Sequence, residues 1–243
     1  METDARPWES FLQLPRASRI RVRSARNGDA VSPWNALGGT PGVLKLKCKI
    51  RFATPADAAA VQEIYGPFCE DSPISFETER PGLTDIESRI GKIVERFPWL
   101  VCESEKEVLG YAYAGPRRDR AAYRWSVDVA IYISSNCRGQ GYGTALYTAL
   151  FELLRIQGYF QAYAGITLPN PASLRLHQRL GFELVGVYKR VGYKTNAWHD
   201  VSWWGLTLQA TDRPPAETLL IRDVTEREDF QTAIQSAETL LRS

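Results

Sequence analysis

Apolar and basic residues alternate from Val43 to Phe52, with Leu44, Leu46, Cys48, Ile50 and Phe52 set against Lys45, Lys47, Lys49 and Arg51. A period of two marks a half-exposed strand. The period then changes. Thr54-Pro55-x-Asp57 supplies a capping Thr and a Pro at the first helical position, and Val61, Ile64, Tyr65 and Phe68 follow as the buried stripe of a helix. Asp71 to Phe76 reads as an extended loop and residues 83–97 as a second helix. Strands at 98–102 and 108–114 flank the charged turn Glu103 to Glu107, and another spans Val127 to Ile133. A helix is predicted from Thr144 to Gln157, a strand from Ala162 to Thr167, and a short helix from Asn170 to Leu180, where Gly181 suits a helix C-terminus. Strands at 182–188 and 198–208 complete the set. The order β-α-α-β-β-β-α-β-α-β-β predicts one mixed α/β domain over residues 43–209.

Composition narrows this picture. A chain of 243 residues, 44% hydrophobic and 24% charged, fits a soluble globular protein. No apolar run approaches the roughly 18 residues of a membrane helix. A net charge of +2 gives no electrostatic case for nucleic acid. Cys48, Cys69, Cys102 and Cys137 lack metal-ligand spacing, and with two histidines no metal site is expected. They read as reduced thiols of a cytoplasmic protein. The ends differ from the middle. Residues 1–42, Arg-rich and broken by turn clusters at Asn27-Gly28-Asp29 and Gly38 to Gly42, are expected to be a disordered extension. Residues 210–243 form an acidic tail with helix-like spacing at Leu219, Leu220, Phe230, Ile234 and Leu240, which either packs on the domain or stays mobile.

Chemistry concentrates at Arg138-Gly139-Gln140-Gly141-Tyr142-Gly143, between a strand and a helix. Glycines let a backbone approach an anion closely. The first amides of a helix lack intrahelical partners, and its dipole favours negative charge there. A dinucleotide fingerprint fits less well, because the third glycine falls one residue early and no acid follows at the required distance. Asp128 interrupts an apolar strand on the face of Ala130 and Tyr132. A carboxylate there must be solvated, paired or functional. It is either a base with a pKa raised by burial or the partner of Arg124 or another nearby Arg. His177, four residues from Ser173 on one helix face, is either a proton carrier or a packing residue. Asn170 can cap its helix and also contact a ligand.

Arg-x-x-Gly-x-Gly at 138–143 and Leu168-Pro169-Asn170-x-x-Ser173-x-x-Leu176-His177-x-x-Leu180-Gly181-Phe182 resemble the two motifs of GNAT superfamily N-acetyltransferases, over about residues 48–209. Ser75-Phe76-Glu77 and the segment Ala114 to Trp125 are similar to those of the phosphinothricin and methionine-sulfoximine acetyltransferases within it. The resemblance implies an α+β fold, a central mixed, mostly antiparallel sheet flanked by helices. It implies acetyl-CoA as co-substrate, bound by Ile131, Tyr132 and Ile133 on a splayed strand, by Arg138, Gly139, Gln140, Gly141, Tyr142, Gly143 and Thr144, and by Asn170 and Ser173. Asp128 and His177 are the implied catalytic residues. Phe76, Glu77, Arg120, Tyr123 and Tyr193 are the implied contacts of a small amino acid, whose amine is acetylated directly in a ternary complex. Arg120 has a planar fork suited to a carboxylate or phosphinate. The family also implies a homodimer. Two departures stand out: Asp128 occupies a Glu position, and Glu77 occupies a position that is Arg in the phosphinothricin enzymes. Another amine acceptor (polyamine, aminoglycoside or protein amine) and a catalytically silent acyl-CoA-binding module are the competing readings.

Overall fold

A computed structural model describes residues 48–105, 107–212 and 214–241. The expectations for the N-terminal extension and for the start of the first strand lie outside these residues. The described chain runs β1 (Cys48–Phe52), α1 (Ala58–Glu70), α2 (Leu83–Val94), β2 (Trp99–Ser104), β3 (Glu107–Pro116), β4 (Ser126–Ile133), α3 (Tyr142–Gln157), β5 (Gln161–Thr167), α4 (Pro171–Arg179), β6 (Glu183–Lys194), β7 (Ala197–Thr207), α5 (Ile221–Val224) and α6 (Glu228–Thr239). The seven strands form one sheet in the order β1-β2-β3-β4-β5-β7-β6. Every neighbouring pair is antiparallel except β4 and β5. The expected α+β sheet flanked by helices is present.

Strand periodicity divides the core between two faces. Leu100, Cys102, Ala112, Ala114, Val127 and Val129 pack with α3. Trp99, Val101, Tyr111, Tyr113 and Tyr132 face the other way and pack with Val61, Ile64, Ile86 and Ile90 of α1 and α2. Trp99 to Cys102 of β2 are buried between helices on both faces and read as a continuous apolar run. Glu103 and Ser104, expected in the turn, extend the strand past a bulge, with Glu103 paired to Lys49 and Arg51 of β1.

Two elements depart from the periodicity. The second helix stops at Val94 rather than Phe97. Arg96 N and Phe97 N both close on Ile93 O (3.1 and 2.8 Å), and Pro98 disfavours helical backbone in the residue before it. β6 continues beyond Tyr188 to Lys194, with its register shifted between Tyr188 and Gly192. Arg190 there has φ 49, and such a bulge erases the alternation that would have revealed the second half of the strand.

α3 is apolar on more than one side, burying Leu146, Tyr147, Leu150, Phe151, Leu153 and Leu154. A helix of that kind needs cover on both sides. The sheet covers one, and α6 supplies the other with Phe230, Ala233, Ile234 and Ala237 in the same core. Phe230 stacks on Phe52 at 5.6 Å between centroids, and Glu238 Oε1 accepts from Ile50 N at 2.7 Å on the outer edge of β1. Gln157, fully buried at the C-terminal end of α3, donates from Nε2 to Arg96 O and Leu219 O, each at 2.9 Å. The C-terminal segment is thus bonded to the backbone of the sheet edge and to the end of α3. Truncating fully buried Phe230 to Ala should cost about 3–5 kcal/mol of stability, read by reversible denaturant unfolding. A loss under about 1 kcal/mol would mean that α6 is not part of the core.

Candidate active site

The site begins where β4 and β5 part. Their parallel pairing covers Ser126↔Gln161, Val127↔Ala162 and Asp128↔Tyr163 and then stops. Beyond it β4 stays on β3 as far as Ile133↔Gly110, while β5 stays on β7 as far as Thr167↔Val201. The two half-sheets therefore diverge. Ser134 N donates to Leu109 O at 2.9 Å, so the even-numbered residues of β4 turn their peptide groups toward β3. Alternation then points the peptide groups of Ile131 and Ile133, and the C=O of Val129, into the gap, while the Val129 N–H still belongs to the last rung with Tyr163. Unpaired peptide groups require partners, and here a ligand can supply them.

The glycine turn lies at the open end. Gly139 and Gly141 have φ 75 and 90, the left-handed region that side chains with a Cβ rarely enter. Gly141 is the N-cap of α3. Among the described residues, the amides of Arg138, Gly139, Gln140 and Gly141 have no backbone partner. With the first amides of α3 they make a concave donor surface. At Gly143 the reason is space, since a Cβ there would stand 3.2 Å from Leu176 Cδ2. The Arg138 guanidinium lies 5.1 Å over the Phe68 ring.

Between these parts is a cleft of about 420 Å³. It collects Ile131, Tyr132, Ile133, Arg138, Gly139, Gly141, Tyr142, Gly143, Thr144, Asn170, Ser173 and His177 from the residues singled out in the sequence. Gln140 is exposed and donates to Asn136 O at 3.1 Å, outside the lining. Asn170 Oδ1 accepts from Ser173 N at 3.2 Å and caps α4. His177 is buried: Nδ1 contacts Ser173 O at 2.8 Å, and Nε2 lies 3.3 Å from Tyr147 Oη. Burial lowers its pKa, so the ring is neutral. Cys137 also lines the cleft, and burial raises its thiol pKa.

Asp128 holds the last rung before the strands separate. Its Oδ1 accepts from Arg117 Nη1 at 2.7 Å. Burial raises its pKa, and the Arg117 hydrogen bond and charge pull it back in part. Arg124 is committed elsewhere, with Nη1 3.2 Å from Glu217 and its guanidinium 4.3 Å over Trp125.

The implied acceptor contacts are not gathered in the cleft lining. Phe76 lies against Gly192, where a Cβ would meet its ring at 2.2 Å. Glu77 is held by Arg89 Nη1 and Nη2 (2.6 and 3.2 Å) and by Tyr65 Oη (3.1 Å). Lys194, buried, donates to Ser75 O and Glu77 O, both at 2.7 Å, and fixes this loop. Arg120 and Tyr123 flank an exposed turn, and Tyr193 is exposed and packs edge-on against Trp198. At the end of the sheet, His199 Nε2 is 2.9 Å from Lys194 O, and Asp200 binds Lys189 Nζ and Arg190 N.

Residues 50–203 match the model of the acetyltransferase (GNAT) domain. The chain belongs to the GNAT acetyltransferase family. The phosphinothricin N-acetyltransferase of Streptomyces viridochromogenes is 39% identical over 178 residues, covering 73% of this chain and 95% of that protein. The L-methionine sulfoximine/L-methionine sulfone acetyltransferase of Pseudomonas aeruginosa is 33% identical over 178 residues, covering 70% and 100%. Among solved structures, a phosphinothricin acetyltransferase from Sinorhizobium meliloti in complex with AcCoA superimposes with a TM-score of 0.68 at 33% identity, covering 74% of this chain and 98% of that one.

The donor set of this GNAT cleft fits acetyl-CoA: backbone amides at the glycine turn for a diphosphate, peptide groups along β4 for a pantetheine arm, and three arginines. Two of those, Arg175 and Arg179 of α4, were not singled out in the sequence, and neither were Phe68, Ile74 and the β5 wall from Ala164 to Thr167. The i, i+4 spacing of Arg175 and Arg179 was a usable signal. The β5 wall left none, because pairing registers are not written in one strand. Substituting Gly141 by Val forces a β-branched residue to positive φ. It should weaken acetyl-CoA binding about 100-fold or more in calorimetry, through the lost donor geometry. An unchanged Kd would separate the glycine turn from acetyl-CoA binding.

Proposed function

We propose that this enzyme carries the acetyl group of acetyl-CoA to the α-amine of a small amino acid of the phosphinothricin or methionine sulfoximine type, in a ternary complex. The observation that carries this reading is a cleft of unpaired peptide groups whose β4 wall begins one residue after a half-buried carboxylate, Asp128. Acetyl-CoA supplies the thioester whose carbonyl carbon is attacked, and its sulfur leaves as the thiol. The chain's own part is to hold, polarise and move protons. Arg138, Arg175 and Arg179 offer charge to the phosphates. The N–H groups of Ile131 and Ile133 are the β4 donors within reach of a developing oxyanion.

Asp128 takes the proton from the acceptor's ammonium. An Asp is one methylene shorter than the Glu of related enzymes, and a water between carboxylate and amine makes up that length. His177, neutral and anchored through Nδ1, serves the sulfur end of the cleft through the Tyr147 hydroxyl. Cys137 has no role as a nucleophile, since burial suppresses its thiolate. Glu77 is neutralised by Arg89 and offers no carboxylate to a cationic acceptor; the competing reading is the same chemistry on another amine, a polyamine, an aminoglycoside or a protein amine. Turnover of a panel of amino acids, polyamines and peptides, read by free thiol, decides between them.

Replacing Asp128 by Asn should lower kcat about 100- to 10,000-fold and leave the acetyl-CoA Kd within about twofold. The wild-type rate should fall as pH drops through the raised pKa of Asp128, on an acid limb above the ordinary carboxylate range. A variant with full activity, or a rate flat through that window, would remove Asp128 from proton transfer.

Cytoplasmic residence and a homodimer complete the proposal. The four cysteines are unbridged, and among the described residues no helix is long and apolar enough to cross a membrane. At the β6–β7 hairpin the contacting Tyr193 and Trp198 are exposed to 56% and 62%, and an exposed aromatic pair favours a second copy as cover. Sedimentation should give twice the 27.4 kDa chain mass; a monomer at about 50 µM, well above the Kd of a stable dimer, would overturn the dimer.

A further inference from the structure

Arg117 has no counterpart among the motif residues, yet it sits in an unusual setting on Asp128, next in sequence to the cleft-lining Val129. Its guanidinium lies 4.6 Å from the Tyr163 ring and 4.4 Å from the Trp203 ring. Tyr163 is the cross-strand partner of Asp128, and Trp203 comes from β7. The Arg117 side chain is 14% exposed, so most of its four-atom stem and its planar head are covered. Two rings and one carboxylate fix the position of the head.

Its hydrogen bonding is nevertheless incomplete. Nη1 donates to Asp128 Oδ1, while Nε and Nη2 have no hydrogen-bond partner among the described residues and are not sealed from solvent. Asp128 Oδ2 is likewise without a hydrogen-bond partner there, and the Asp128 side chain is 36% exposed. A guanidinium has five N–H donors and a carboxylate about four acceptor sites. The pair, joined by its 2.7 Å Nη1–Oδ1 bond, therefore presents a second cationic fork and a second anionic oxygen on neighbouring groups. An α-amino acid presents the complementary arrangement, with its carboxylate and ammonium on one carbon.

We propose that Arg117 is the receptor for the acceptor's α-carboxylate, placing the α-amine one water away from the second oxygen of Asp128. This rests on the amino-acid acetyltransferase reading above and names the group that selects amino acids over simple amines. Arg suits the task, because its weakly hydrated planar head tolerates burial between rings and can bind a carboxylate with two parallel N–H donors. Of the other charged or phenolic groups near Asp128, Arg118 is exposed and Tyr113 is part of the aromatic core. Neither offers a fixed fork.

The test compares each acceptor with its own α-carboxamide, using phosphinothricin and methionine sulfone, for wild type, Arg117→Met and Arg117→Lys. Wild type should prefer the acid by on the order of 10- to 100-fold in kcat/KM. Arg117→Met should collapse that ratio toward one, with the acetyl-CoA KM unchanged and the thermal melt retained as a folding control. Arg117→Lys should restore part of it. Since Arg117→Met perturbs Asp128 equally for acid and amide, the ratio isolates the carboxylate contact. An acid preference that survives in Arg117→Met, or a wild type that turns over acid and amide alike, overturns the role of Arg117 and leaves acetyl transfer standing. A wild type that releases no thiol with any amine overturns both.

Discussion

The site depends on a parallel strand pair that lasts three residues. If β4 and β5 stayed bonded along their length, Ile131 and Ile133 would spend their peptide groups on the sheet and no cleft would exist. The remaining strands make that separation tolerable. β4 is bonded to β3 over seven residue pairs and β5 to β7 over seven, so each half-sheet is anchored independently. Exposed peptide groups in a gap cost desolvation unless a ligand or water fills them. That cost is the physical origin of affinity for an extended amide-bearing arm.

The packing explains how so open a feature stays in register. α3 starts at the glycine turn and spans the face behind β2, β3 and β4, and its own outer side is closed by α6. Gln157 joins the end of α2, the end of α3 and the C-terminal segment through two carbonyls. The glycine turn thus leads directly into the most deeply buried helix in the described structure, with its left-handed glycines fixed from behind. On the opposite side, the loop from Ser75 to Glu77 is pinned by the Lys194 ammonium, a point charge that bonds only to backbone carbonyls there. Both segments are loops, and both derive their order from buried partners far along the chain.

Much of this was legible in the sequence because it is written locally. Alternation located the strands, stripes located the helices, and Arg138 to Gly143 advertised its geometry through glycine. Local signals failed where long-range contacts decide. The bulge at Arg190 concealed half of β6. The wall formed by Ala164 to Thr167 exists only because β5 leaves β4. The partner of Asp128 is Arg117, eleven residues back across the β3–β4 connection, and nothing in the run Arg117 to Arg124 distinguishes it. Its identity required the positions of Tyr163 and Trp203, which come from two other strands. The two departures at Asp128 and Glu77 were visible, and the structure gives each a specific cation, Arg117 and Arg89.

Hydrogen exchange with and without acetyl-CoA addresses the central claim most directly, because it reports on the peptide groups themselves. Saturating acetyl-CoA should slow exchange about tenfold or more at the amides of residues 139–144 and at Ile131 and Ile133, leaving the even-numbered amides of β4 and those of α6 as they were. Protection confined to other segments, or none at all, would contradict the account that the parting of β4 and β5 is what holds the acyl donor.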